Sequence, residues 1–403
     1  MFVQRINIFG NNVTQENVIR NQLEIDEGDP FNAILEKKSL NNLKSLNFFK
    51  NVKSEILDGT IPNSKIINIE VEEKPTGEIA AGAGVGTDGG TVSFGVKENN
   101  YLGRGIAVNS NLTINEESLK GLISITDQNY KNSNKSVYFR AEATETDRLL
   151  DFGYKTNQIG FSIGTNFEYY KDFDLGLGTS SYYERIETDS TASERQKKQK
   201  GNYWDTFLSL NFDYDKRNQN FQTTDGFRSF YDIQLPIISD TSTITSTYNY
   251  KVYEELYENN ISTFSFLLKG AASLTGKDVK LSERLFVPAG RLRGFESGKI
   301  GPKDGDDFVG GNYITAINLS STLPQILENS QNLDFLMFFD AASIWGVDYD
   351  STLPEGSKIR SSIGIGIDWL STLGPLSFSL AQPITKGNND VTESFRFNLG
   401  TTF

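Results

Sequence analysis

Three cations, Arg291, Arg293 and Lys299, stand in one glycine-rich run, Phe286-Val-Pro-Ala-Gly-Arg-Leu-Arg-Gly-Phe-Glu-Ser-Gly-Lys-Ile-Gly-Pro-Lys303. Glycines at 290, 294, 298 and 301 and prolines at 288 and 302 exclude a regular helix or strand there. Leu292-Arg293-Gly294-Phe295 is the centre of the run. An ordinary surface loop is one reading, but such a loop has little use for an apolar, cationic, glycine-flanked tip. A loop folded back into a polar cavity does: the guanidinium fork meets a carboxylate and the glycine lets backbone approach a wall. The other reactive side chains are few. The chain has no histidine and no cysteine. Disulfides, thiol catalysis, the commonest zinc and iron ligands and the usual general base are therefore absent. No paired-carboxylate motif stands out, so neither a catalytic centre nor a metal or cofactor is expected.

The elements that must position this loop change character once. Residues 1–75 read as a small α/β unit: strand Phe2 to Ile8, a helix starting near Thr14, a second helix carrying Ile34, Leu35, Leu40, Leu43 and Leu46, then strands Val52 to Leu57 and Ile66 to Glu72. Glu73-Lys74-Pro75-Thr76-Gly77 is a boundary, after which helical patterning is expected to cease. From Gly77 to Phe403 nearly every segment alternates, as in Phe161, Ile163, Phe167 and Tyr169, or Leu208, Leu210, Phe212 and Tyr214. At roughly 20 residues per strand and connection, residues 77–403 make about sixteen strands. A soluble sandwich also alternates. The length of the meander and the aromatics at strand ends (Tyr169-Tyr170, Tyr182-Tyr183, Tyr203-Trp204, Trp345, Trp369, Phe403) favour an antiparallel transmembrane β-barrel. The mean hydropathy of −0.40 does not oppose this, because lumen-facing residues are polar. The net charge of −13, without a basic block, argues against a nucleic-acid partner.

Several runs together resemble one family, the outer-membrane assembly factors in which POTRA domains precede a transmembrane barrel. Ile8-Phe-Gly-Asn11 and Leu43-Lys-Ser-Leu-Asn-Phe-Phe-Lys-Asn-Val52 look like a single POTRA domain, and Gly82-Ala-Gly-Val-Gly86 like the first barrel strand. Asn100-Tyr-Leu-Gly-Arg-Gly105 resembles the first hairpin, and Asp215 to Gly226 a mid-barrel turn. Leu292 to Lys303 matches the family's sixth loop, with Leu292 in place of a valine. Phe338-Phe-Asp340 and the terminal Phe395 to Phe403 continue the match. Two departures are a short link from Lys303 to Gly310 and Ser320 where an acidic wall residue is usual.

The resemblance implies an insertase that folds β-barrel clients into the bacterial outer membrane, with its POTRA domain, the last of several, in the periplasm. Met1 directly before a strand fits a chain whose upstream sequence is missing. The alternative is a two-partner-type secretion translocator. The resemblance further implies that Arg293 turns inward to Asp340, which shares strand parity with Phe338 and Leu336. Glu27, in the turn Asp26-Glu27, would contact an accessory periplasmic lipoprotein. The first strand carries Gly77, Gly82, Gly84 and Gly86, and the last carries Phe397, Leu399, Gly400 and Phe403. Those glycines either weaken a lateral seam that can template a client strand or serve tight packing. Unfolded clients, accessory lipoproteins and outer-membrane lipid are the expected partners.

Overall fold

A computed structural model describes residues 1–403 except 221, 258–259, 325–331, 348–352, 354–356, 372–373 and 403, and the side chains of Asn132, Thr401 and Thr402. Phe403, expected at the seam and girdle, therefore lies outside the described residues. The chain forms two compact units.

The first unit comprises Met1–Ala80, Gly95–Asn111 and Ile123–Phe139. Its N-terminal part runs β1 (Phe2–Phe9), α1 (Glu16–Arg20), α2 (Ala33–Ser45), β2 (Phe49–Asp58) and β3 (Ser64–Glu73). β3 is central, parallel to β1 and antiparallel to β2. Alternation places Ile67, Ile69 and Val71 on the face that meets Ile19 and Leu43. Ile34 is fully turned out, so the apolar stripe of α2 is narrower than its spacing suggests.

The helix start near Thr14 moves to Glu16, because Thr14 is otherwise engaged. The Glu73 carboxylate accepts the backbone N–H groups of Asn12 (2.9 Å), Val13 (2.9 Å) and Thr14 (2.6 Å). The Thr14 hydroxyl accepts from Asn100 Nδ2 (2.9 Å), and Gln15 N–H donates to Gly103 O (2.8 Å). Burial pushes the Glu73 carboxyl up, but the hydrogen bonds from Thr14, Val13 and Asn12 outweigh it and hold it below its ordinary value. A carboxyl lowered in the folded state stabilises above its unfolded pKa, and the contribution disappears as pH falls through the folded value. Glu73→Gln is expected to speed amide exchange at Asn12 to Thr14 about fivefold at neutral pH, the scale of a lost cap. The difference from the parent should vanish in acid. Equal exchange at neutral pH would show that the carboxylate does not hold this turn.

The barrel wall takes sixteen strands in a closed ring. They are β4 (Gly77–Gly86), β5 (Gly89–Tyr101), β6 (Ile106–Asn115), β7 (Ser118–Asp127), β8 (Lys135–Arg148), β9 (Tyr154–Tyr170), β10 (Phe173–Thr188), β11 (Gly201–Asp215), β12 (Gly226–Ser239), β13 (Thr243–Tyr257) and β14 (Asn260–Ser273). The three short strands β15 (Gly294–Phe295), β16 (Lys303–Asp304) and β17 (Asp307–Phe308) follow within one long connection. The wall resumes with β18 (Tyr313–Thr322), β19 (Leu333–Trp345), β20 (Arg360–Ser371) and β21 (Gly374–Thr385); after short β22 (Thr392–Glu393), β23 (Phe395–Thr402) closes it on β4. Consecutive wall neighbours pair antiparallel, as β9 with β10 and β20 with β21.

Three expectations need correction. Asn100 to Gly105 is the second turn of the barrel, between β5 and β6; the first lies at Thr87-Asp88. Helix does recur after residue 75, as single turns α3 (Leu149–Phe152) and α4 (Glu194–Lys197). The latter is nucleated by a capping box between Ser193 and Gln196 inside an otherwise polar loop. Nor do all the paired aromatics form a girdle. Tyr169, Tyr183, Trp204 and Trp369 are exposed with outward parity, but Tyr182 and Tyr203 have the opposite parity and Tyr203 packs near Lys280.

Candidate functional site

The connection between β14 and β18 folds into the barrel. Its apolar residues Val287, Leu292, Phe295 and Ile300 are buried against Leu267, Ile314, Ala316 and Ile344 of the inner wall. Burying Phe295 and three aliphatic side chains there favours this packing over a solvated loop. The short link that departs from the family pattern is a tight hairpin: β16 pairs with β17 around Gly305 at φ 68°.

Arg293 and Asp340 meet as a bidentate pair. Arg293 donates from Nε to Asp340 Oδ2 (2.7 Å) and from Nη2 to Oδ1 (2.8 Å), and its own backbone N–H donates to Oδ2 (3.0 Å). Asp340 is completely buried. Arg293 also lies over the Phe338 ring, 3.4 Å from its centroid. Gly294 sits at φ 92°, and a Cβ there would stand 3.1 Å from Ala381 Cβ and 3.3 Å from Ser362 Cβ. Any side chain would be strained and would push the fork off the wall.

Sequence reasoning left Arg293 without a second acidic partner, since Ser320 replaces the usual carboxylate. Asn318, two residues earlier on the same strand face, completes the arrangement. Its Nδ2 donates to Asp340 Oδ1 (2.8 Å) and to Arg291 O (3.0 Å), while its Oδ1 accepts from Arg291 Nη1 (3.1 Å). Arg291 also donates to Asn249 Oδ1 (2.9 Å) and to the Ser265 hydroxyl, and Ser362 donates to Arg293 O. Register could have found Asn318, which pairs directly with Asp340, but register is invisible in a sequence.

A second ionic anchor was missed altogether. Lys280, at the start of the same loop, is buried and reaches Glu184 (3.0 Å) on β10, Asp205 (2.5 Å) on β11 and Glu283 (3.4 Å). Glu184 and Asp205 stand in mid-strand with lumenal parity, the one sequence signal that pointed to them. The loop is thus tied to β10 and β11 at one end and to β18 and β19 at its tip.

The first and last strands meet over a short register. Asn398 pairs with Gly86, Leu399 with Val85, Gly400 with Gly84, Thr401 with Ala83 and Thr402 with Gly82. Thr87 N–H donates to Phe397 O (3.1 Å) beyond the last pair. Among the described residues, Gly77 falls outside this register. By contrast β9 and β10 pair over sixteen residues. Close packing accounts for Gly86, where a Cβ would come within 2.8 Å of Phe397 O; Gly400 faces open space. A cavity of about 590 Å³ runs along the inner side of this seam, bordered by Gly84, Gly86, Arg396, Gly400, Gly290 and Arg293. Glu27 lies elsewhere, in the first unit: its carboxylate accepts Ile6 N–H (3.0 Å) and lies 3.7 Å from Arg20.

Comparison with known proteins agrees with this architecture. Residues 100–403 match the Omp85 superfamily domain, and residues 1–74 match a POTRA domain, the surface antigen variable number repeat. The outer membrane protein assembly factor BamA of Neisseria meningitidis serogroup B is 25% identical over 456 residues, covering 100% of this chain and 57% of the relative. The BamA of Neorickettsia risticii is 24% identical over 417 residues, covering 100% and 55%. The chain spans about half the length of the curated relatives it matches. Among solved structures, BamA from Haemophilus ducreyi lacking POTRA domains 1-3 superposes with a TM-score of 0.91 at 24% identity, covering 100% of this chain and 85% of that one. CdiB from Acinetobacter baumannii superposes at 0.61 with 13% identity, covering 99% and 74%. With the superfamily domain matched over three quarters of its residues, an inward arginine loop and a sixteen-stranded closed barrel, this chain belongs to the Omp85 superfamily.

Proposed function

We propose that the chain is the POTRA-and-barrel part of an insertase that folds β-barrel proteins into the bacterial outer membrane. The observation that carries this reading is the seam where β23, the last strand, closes the ring on β4: among the described residues it pairs over five residues, as β21 with β23 does, where β9 and β10 pair over sixteen. A strand edge released there offers unpaired N–H and C=O groups to an incoming strand, which is β-augmentation. No bond is made or broken, so the protein acts without catalytic residues. Residues 1–75 form a periplasmic POTRA domain and residues 77–403 the barrel in lipid. The names of the relatives support the same role, each being an outer membrane protein assembly factor. Full-length protein in vesicles is expected to accelerate folding of a small client barrel, read as protease protection. Client folding no faster than in empty vesicles would overturn the reading. Passage of an unfolded soluble passenger into the vesicle would favour the two-partner translocator instead.

The proposed partner of the POTRA domain is an accessory lipoprotein, reached through Glu27. This carboxylate also supports β1 through Ile6 and Arg20, so its reversal acts on two things at once. Glu27→Lys is expected to weaken capture of the lipoprotein at least tenfold. Glu27→Gln, which keeps an acceptor for the Ile6 N–H, should weaken it less while preserving the fold by circular dichroism. Unchanged capture by a folded Glu27→Lys protein would remove Glu27 from the contact.

A further inference from the structure

The last strand carries one cation whose bonds reach beyond its own strand. Arg396 donates from Nε (2.9 Å) and Nη2 (2.7 Å) to Glu393 Oε2. Nη2 also donates to Phe295 O (3.3 Å), and Nη1 donates to Asp88 Oδ2 (3.3 Å). Glu393 lies in the segment entering β23, Phe295 in the inward loop and Asp88 in the turn between β4 and β5. One mostly buried guanidinium therefore joins both sides of the seam to the tip of the loop. Its charge is offset by two carboxylates from different elements, and only a planar fork can serve three acceptors in these directions.

The loop and the last strand are coupled by more than this residue. β15 pairs with β22, Gly294 with Glu393 and Phe295 with Thr392, directly before β23 begins. Glu296 N–H donates to Val391 O (3.0 Å), and Val391 N–H to Lys299 O (3.0 Å). Asp390 forms a buried pair with Arg360 (2.9 Å) and accepts Gly301 N–H (3.1 Å). The stretch from Asp390 to Glu393, which delivers the last strand, is thus a neighbour of the inward loop from Gly294 to Gly301. Among the described residues the seam ladder is supplemented by the Thr87 hydroxyl, which accepts Phe397 N–H (2.9 Å) and donates to Phe397 O (3.2 Å), and by the bond from Arg396 to Asp88.

We propose that Arg396 is a latch through which the inward loop holds the last strand against the first hairpin, so that the loop's seating sets how often the seam opens. Arg396 is a positioning residue, and the proposal rests on the reading of the β4–β23 seam as the edge that opens. Seating the loop places Phe295 O and Glu393 to aim the guanidinium at Asp88. Withdrawing the loop removes Phe295 O and the β15 pairing that holds Glu393 in place, and frees the hairpin.

The test reads the seam and not client folding. The chain has no cysteine, so Val92→Cys and Leu380→Cys, both facing outward on strands flanking the seam, can take spin labels alone. Full-length labelled protein in lipid nanodiscs should give one dominant short distance by pulsed electron spin resonance. Arg396→Ala is expected to raise the ratio of long to short distances roughly tenfold, the scale of losing hydrogen bonds to a charged group. Arg396→Lys should fall between, because an ammonium keeps the charge and loses the fork. Asp88→Asn, in a half-exposed turn, leaves the inward loop intact and should raise the ratio severalfold; it decides the matter if Arg396→Ala does not fold. Distributions like the parent's for folded Arg396→Ala, or for Asp88→Asn where Arg396→Ala does not fold, would overturn the latch. A seam that opens in these variants without any effect on client folding would leave the latch standing and sink the insertase reading.

Discussion

Replacing Arg293 with alanine is expected to destabilise the barrel by about 3–5 kcal/mol, the cost of leaving a buried carboxylate without its cation. Asp340 is fully buried and would keep only Asn318 and the Arg293 backbone N–H as donors. A surface pair would cost about 1 kcal/mol or less, so the magnitude itself separates a lumenal anchor from a solvated loop. Asp340→Ala should cost a similar amount, because a guanidinium seated on Phe338 would lose both of its charged hydrogen bonds. The double variant should cost well below the sum, since each single change already removes the pair. Heat-modifiable gel mobility measures the folded fraction, and client folding in vesicles measures the proposed activity. Single losses that simply add would show that the two residues are not coupled. Leu292 and Phe295 supply apolar burial beside the pair, so the loop should loosen in these variants without being expelled.

The fold was legible because period-two alternation is a local signal that survives sixteen repetitions. Ile363 and Ile365 are exposed on the outer face with the parity their spacing requires. The Arg293–Asp340 pair was legible for a related reason: a charge on a lipid face costs a few kcal/mol, so strand parity puts Asp340 inside. What stayed hidden depends on register or on the path of a long loop. Asn318 meets Asp340 only because β18 and β19 pair as they do. Lys280 finds Glu184 and Asp205 across the lumen, at sequence separations of 96 and 75 residues. Thr14 looked like a helix start because its type favours a cap, and the distant Glu73 and Asn100 claimed its groups instead. The glycines of β4 and β23 were ambiguous in the sequence, and the answer differs by position: close approach explains Gly86, while among the described residues nothing fills the space beside Gly400.

Covalent closure of the seam is expected to abolish client folding on the proposed reading. The register now names the pairs. Val85→Cys with Leu399→Cys, and Gly84→Cys with Gly400→Cys, place directly opposed residues of β4 and β23 in reach of a disulfide. Opposed residues of an antiparallel ladder lie about 4.5–5.5 Å apart at Cα, inside the roughly 7 Å limit for bridging. Two such positions are needed because a hydrogen-bonded and a non-hydrogen-bonded pair differ in Cβ geometry, and one of them should close with little strain. With no native cysteine, neither pair can be diverted into another intramolecular bridge. The oxidised protein should lose client folding by at least tenfold and recover it with reductant. Leu208→Cys with Leu235→Cys, opposed on β11 and β12, supplies the control, and its oxidation should be harmless. The control shows whether loss comes from the seam or from cross-linking any two strands. An oxidised seam that still folds clients at the unmodified rate would rule out opening between β4 and β23, and the thin, glycine-bearing register would then have to act on the surrounding lipid from a closed wall.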